Sequence, residues 1–248
     1  MLYLISLGLS DEKDMSLRAL ETAKSCDKLY VEFYTTSMNT DVNRLEKLVG
    51  KPVIELKRPD LEENAETILK EAKSKDVGIL IGGDALVATT HISLLLEAKK
   101  NGVKAQVIHG SSIYSAVGET GLQIYKFGKT TTLALPEEIY SPMSAYETIL
   151  QNKKAGLHTL VLLDIKEGKL ITVKEGIELL MKMEKEGGLL DYETKIVAAC
   201  ELGGRNVIKY GKIKDLLKSK ELGLTPAVLI VPGELHFMEQ EFLETISL

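Results

Sequence analysis

The chain of 248 residues contains only two cysteines, Cys26 and Cys200, and four histidines. The cysteines are far apart, lie in mainly apolar segments and form no CxxC pair. They read as buried thiols of a reducing compartment, not as a disulfide or zinc ligands. His91, His109, His158 and His236 show no metal-ligand spacing, so no metal site is expected and each alone reads as structural or superficial. No apolar run approaches the roughly 20 residues that cross a bilayer. The opening MLYLISLG has neither a basic region nor a cleavage site, so it reads as a first β-strand and not as a signal peptide. The expectation is a cytoplasmic protein with no membrane partner. A formal charge of −5 gives no basic footprint for direct nucleic-acid binding. GxGxxG and the P-loop GKS/GKT are missing, and no Ser-His-Asp or Cys-His triad follows from spacing. No catalytic residue is therefore assigned; a cofactor carrying the reactive group would remove the need for one.

Apolar residues make up 44% and charged residues 27%, the composition of a globular chain with material for one large or two ordinary domains. Short Val/Ile/Leu-rich segments at 2–7, 28–34, 52–56, 77–81, 103–108 and 130–135 read as strands covered on both faces. Helical patterns alternate with them. Asp60 with Glu63 resembles a capping box ahead of Leu61, Ala65, Ile68, Leu69 and Ala72. Thr40 is the expected cap of a helix carrying Val42, Leu45, Leu48 and Val49, stopped by Gly50. Ile92, Leu95, Leu96 and Ala98 carry the next helix. Further on, Ser141-Pro142 reads as an N-cap and first helical residue, and Thr172 to Glu175 as a capping box. Strands at 158–164, 195–201 and 227–231 follow, with hairpin-like stretches at 163–173 and 205–212. Serial β–α crossovers imply a mainly parallel first sheet, and the hairpins a mixed second one. The expected architecture is two α/β domains, residues 1–135 and 136–248, with an active-site cleft between them.

Three loops leave strands with ligand-binding character. The first is Ser6-Leu7-Gly8-Leu9-Ser10-Asp11, and the second is Gly82-Gly83-Asp84 leading through Val87 to His91. The third is His109-Gly110-Ser111-Ser112-Ile113-Tyr114-Ser115-Ala116. Glycines let backbone lie against a ligand, and serines offer hydroxyls and amides. Each loop also has an ordinary reading as a βα turn with a helix cap.

Taken in order with a second α/β domain, these loops resemble the tetrapyrrole-methylase-like family of S-adenosylmethionine-dependent methyltransferases, and within it the diphthine synthase branch. The resemblance runs through Gly8-Leu9 with Asp11-Glu12, Leu86-Val87-Ala88-Thr89-Thr90-His91 and Ser112-Ile113-Tyr114-Ser115-Ala116-Val117. It continues through Thr120-Gly121-Leu122, Ile124-Tyr125-Lys126-Phe127-Gly128 and Gly156-Leu157-His158-Thr159-Leu160. Leu163-Asp164-Ile165-Lys166 and Ile230-Val231-Pro232-Gly233 complete it. The chain departs from the family where G-x-G-P-G-D is replaced by Ser6 to Asp11, where Ala85 follows Gly83-Asp84, and where Gly110-Ser111 precedes Ser112-Ile113.

The resemblance implies S-adenosylmethionine as cofactor, released as S-adenosylhomocysteine. It implies contacts from Leu9, Asp84, Val87, Ser112, Ile113, Leu163, Leu202 and His236. It implies a protein substrate, translation elongation factor 2, whose 3-amino-3-carboxypropyl-histidine is N-methylated, in archaeal-type members three times. A homodimer is the implied assembly. Two alternatives stay open: methylation of a tetrapyrrole or other small molecule, and a non-catalytic cofactor-sensing or translation-factor-binding module.

Overall fold

A computed structural model describes residues 1–135, 143–166, 168–184, 188 and 190–248. The chain divides into two compact units, Met1–Ala116 and Val117–Leu248.

In the first unit, the chain runs β1 (Leu2–Ser6), α1 (Leu17–Ser25), β2 (Lys28–Glu32), α2 (Val42–Val49), β3 (Val53–Leu56), α3 (Arg58–Glu62) and α4 (Glu66–Ala72). It continues through β4 (Val77–Ile81), α5 (Ile92–Lys100), β5 (Ala105–Ile108) and α6 (Ile113–Ala116). The strands form one all-parallel sheet in the order β3-β2-β4-β1-β5. Period-two alternation sends their side chains to two cores. Leu2, Leu4, Val77, Ile79 and Ile81 pack with Ile68, Leu69, Leu94 and Ala98 of the helices on one face. Ile5, Leu29, Val31 and Leu80 pack with Ala19, Ala23, Leu45 and Val49 on the other. Cys26 is buried in that second core, and burial raises its thiol to about 11. A Cβ on Gly78 would lie 2.7 Å from Leu29 Cδ2 and 3.0 Å from Cys26 Sγ, so the small residue lets the layer close.

The second unit runs β6 (Thr131–Leu133), α7 (Ser144–Lys154), β7 (Thr159–Leu163), β8 (Ile165–Lys166), β9 (Lys169–Leu170), α8 (Val173–Met183) and β10 (Lys195–Cys200). It ends with β11 (Val207–Lys212), α9 (Ile213–Leu216), β12 (Ala227–Val231) and α10 (Phe237–Thr245). Its main sheet has the order β11-β10-β12-β7-β6. Pairing is antiparallel except between β6 and β7. Leu133, Val161, Ile196, Ala198 and Leu229 build one core with Ile149, Ile177, Leu180 and Ile213. Cys200 is buried in the same core. The mainly parallel first sheet and mixed second sheet agree with the sequence expectation.

Several local readings need correction. The strand assigned to the first domain at 130–135 pairs with β7, so the compact units divide after Ala116 and not at Leu135-Pro136. Asp41, not Thr40, caps α2 by accepting from Arg44 N at 2.9 Å, because the Thr40 hydroxyl donates to Glu12 instead. Gly50 does stop α2, with φ +75°. Asp60 is the third helical residue of α3, accepting from Lys57 N at 2.7 Å, and the helix breaks before Ala65. In α5, Leu94 and Ala98 face the core, whereas Ile92 and Leu96 are exposed. Thr172 does cap α8 in a capping box with Glu175. The Ser141-Pro142 cap lies outside the described residues.

Candidate functional site

Strands β4, β1 and β5 are adjacent and parallel, so their carboxyl-terminal loops emerge side by side. That edge is where open α/β sheets bind ligands. The loops are tied at the backbone: Gly8 N donates to Gly83 O at 3.1 Å, and Gly83 N to Gly8 O at 2.7 Å. Gly8 and Gly83 both have positive φ, 90° and 67°. A side chain at Gly8 would collide with Asp14, while nothing stands within 4 Å of a Cβ on Gly83. One glycine closes the loop pair and the other leaves open backbone beside Asp84.

Asp84 is the knot between these loops. Its Oδ1 accepts from Leu86 N at 3.0 Å; its Oδ2 accepts from Gly110 N at 3.2 Å and pairs with His109 Nδ1 at 2.8 Å. The carboxylate is buried, whereas the His109 ring is exposed. Burial alone would raise the Asp84 carboxyl, but the Leu86, His109 and Gly110 bonds outweigh it and hold it below its ordinary value. Ser6 supports the knot by accepting from Ala85 N at 3.0 Å. A Cβ on Gly110 would come 2.8 Å from Ser6 Cβ, so this close approach needs glycine. The loop after β1 is braced from outside. Asp14 accepts from Ser10 N at 2.6 Å, and Arg44 reaches Glu12 at 2.8 Å.

Leu9, Val87 and Ile113 are partly buried along these three loops, and Ser112 is buried. The first unit thus brings together Leu9, Asp84, Val87, Ser112 and Ile113, five of the expected residues. Open backbone at Gly83, apolar side chains and a carboxylate with one remaining acceptor site fit a nucleoside-bearing sulfonium. Asp84 itself is already engaged by three protein donors, so organising the loops is part of its role.

The other expected residues lie in the second unit. Leu163 ends β7, and Leu202 follows β10, which runs parallel to β7 through their shared antiparallel neighbour β12. His236 follows β12 and therefore lies at the opposite end of that sheet, where Val231 pairs with Thr159. Its surroundings are highly ordered by a residue the sequence reading missed, Glu239. Glu239 accepts from Lys126 Nζ at 2.6 Å, Gln123 N at 2.8 Å, His236 N at 2.8 Å and His158 Nε2 at 3.0 Å. His158 Nδ1 accepts from Gly233 N at 2.9 Å, which puts the ring proton on Nε2 facing Glu239. Burial, with the Lys126 charge, keeps that imidazole below its ordinary value despite Glu239. Burial would raise Glu239, yet Lys126, the two backbone donors and His158 bring it down to about 2. The sequence signal was the capping-box spacing of His236 and Glu239, which forms here.

Among the described residues, no group of three His, Cys, Asp or Glu side chains could hold a metal ion. Nor is any helix of the described residues long and apolar enough to cross a membrane.

A two-unit α/β chain with a parallel first sheet, a mixed second sheet and glycine-tied strand-end loops has the architecture of a methylase class. A family model described as Tetrapyrrole (Corrin/Porphyrin) Methylases matches residues 1–216. The chain is 45% identical over 252 residues to the diphthine synthase of Methanocaldococcus jannaschii, covering 98% of both chains. It is 43% identical over 250 residues to that of Methanococcus aeolicus, covering 98% of this chain and 97% of the relative. A crystal structure of a diphthine synthase superposes with a TM-score of 0.91 at 36% identity, covering 99% of this chain and 95% of the other. The chain belongs to the tetrapyrrole methylase family and, within it, to the diphthine synthases. It is a methyltransferase.

Proposed function

We propose that the chain takes its methyl group from S-adenosylmethionine and transfers it to the amine of 3-amino-3-carboxypropyl-histidine on translation elongation factor 2, three times per site. The observation that carries this reading is the Asp84 knot: a buried carboxylate joining two strand-end loops within a chain related over nearly its whole length to diphthine synthases. When bound, the cofactor supplies a methyl group activated on a sulfonium and departs as neutral S-adenosylhomocysteine. Leu9, Val87 and Ile113 supply apolar walls, Asp84 and Ser112 polar contacts, and Leu163, Leu202 and His236 are proposed as further contacts. No acid is needed for a neutral leaving group, so much of the protein's task is to align donor and acceptor. The acceptor amine must shed a proton before each attack, and desolvation lowers its pKa. A homodimer working without nucleic acid or membrane completes the proposal.

The test is incubation of the chain with methyl-labelled S-adenosylmethionine and elongation factor 2 carrying the unmethylated intermediate. Label on the factor, up to three methyls by mass, is the expected result. Label on a porphyrin and none on the factor, or cofactor binding without transfer, would overturn it.

A further inference from the structure

Beside the Asp84 knot, the end of β2 carries a second polar cluster with unmatched hydrogen-bonding capacity. Glu32 and His91 are buried, with side chains 0% and 2% exposed. Glu32 Oε2 accepts from Tyr34 N at 3.0 Å and Thr35 N at 3.1 Å, and Oε1 from the Thr35 hydroxyl. All three donors are neutral. No lysine or arginine pairs with this carboxylate among the described residues, although isolated buried charge is costly.

His91 Nδ1 lies 3.2 Å from Ala85 O. A carbonyl only accepts, so Nδ1 carries a proton and donates it. The other nitrogen, Nε2, is buried without a hydrogen-bond partner among the described residues, as is the Tyr34 hydroxyl. Nε2 stands 3.8 Å from Glu32 Oε1. That separation is too long for a direct hydrogen bond, yet both atoms can bond one small donor. The Tyr34 ring lies edge-on to His91 with centroids 6.4 Å apart, which brings the phenol into the same buried cluster. Burial and the Glu32 charge both push the Tyr34 phenol upward, which keeps the hydroxyl neutral.

We infer that Glu32 Oε1, His91 Nε2 and the Tyr34 hydroxyl form a binding site for a protonated primary amine. A primary ammonium has three N–H donors for these three oxygen and nitrogen atoms, and its charge answers the buried carboxylate. The inference rests on the proposed amine methylation and deepens it, because β2 neighbours β4 and Glu32 ends at the same sheet edge as the Asp84 loop. It assigns a place in the first unit to the acceptor amine as the ammonium that precedes loss of its proton and the first methylation.

The experiment is a titration of the full chain, with ¹⁵N-labelled histidines, against methylammonium as probe. A saturable shift of the His91 Nε2 resonance is expected, with Nδ1 remaining protonated. Glu32→Gln removes the charge and supplies its own N–H to Nε2, so it should weaken probe binding about tenfold or more. Tyr34→Phe should weaken it less, and both variants should keep the far-ultraviolet spectrum of the parent. In methyl-transfer assays, Glu32→Gln should raise the KM of the factor and leave cofactor affinity unchanged. The inference is overturned by a His91 resonance indifferent to methylammonium, by Nε2 protonated and bonded to Glu32, or by a buried water alone bridging the two. If the parent binds methylammonium here yet methylates nothing, the proposed function fails while the amine site stands. Methylation of the factor with an indifferent His91 has the opposite meaning.

Discussion

Asp84 in the first unit and Glu239 in the second are buried carboxylates that fasten loops at a sheet edge, and the two do it differently. Asp84 gathers two backbone N–H groups and an exposed imidazole, with no lysine or arginine among the described residues. Glu239 gathers two backbone N–H groups, the Lys126 ammonium and a fully buried imidazole. The Glu239 network is closed and saturated, as a structural fastening should be. The Asp84 knot is half open, with acceptor capacity left and bare backbone at Gly83 beside it. The difference teaches that similar buried acids need not share a function. The one with spare capacity at an open edge is the candidate for ligand work, and the sealed one sets where His236 sits.

The comparison breaks most visibly at Glu239. Glu239→Ala strands Lys126 and His158, and a loss of about 3–5 kcal/mol is expected from denaturant unfolding. Gly233→Ala should cost several kcal/mol, on the order of a backbone clash in a tight core. Its Cβ would stand 2.5 Å from backbone atoms of Gly156 and Leu157, which have no flexible end to yield. Asp84→Ala should cost less, about 1–3 kcal/mol, because its hydrogen bonds hold loops and not a core charge.

Acid sharpens the contrast. Glu239 sits at about 2 against an ordinary 4.5, so its stabilisation is present in full above that ordinary value. It should be lost as pH falls from about 5 to about 2, and Glu239→Gln should flatten this part of the stability profile. Asp84 is depressed too, so its contribution also fades in acid. The smallest effect belongs to the exposed Glu66–Lys70 pair on α4, where Glu66→Ala should change stability by less than about 0.5 kcal/mol.

Much of the scaffold was legible because it rests on local pattern. The apolar run Val77–Ile81 became a fully buried central strand, and the Thr172–Glu175 spacing became a capping box. What escaped depends on partners distant in sequence. Thr40 looks like a cap until Glu12, 28 residues away, takes its hydroxyl. The strand near Thr131 looks like part of the first domain until its pairing with β7 is seen. In the site, the glycines at 8, 83 and 110 were readable as loop positions that need no side chain; Gly8 and Gly110 are close approaches and Gly83 is open backbone. That Asp84 would spend three acceptor sites on its own loops was not, since Gly110 and His109 lie about 25 residues further on. Glu32 and Glu239 gave only faint signals, one an acid at the end of an apolar strand and the other a capping spacing.

The role proposed for the Asp84 knot is to build a binding site for S-adenosylmethionine in the first unit. Calorimetric titration of the cofactor into the parent chain and into Asp84→Asn tests it most directly. The amide removes the charge and turns a donor toward Gly110 N–H or Leu86 N–H, so a loss of affinity of about tenfold or more is expected with the fold intact. Equal affinity for the two proteins would contradict the account.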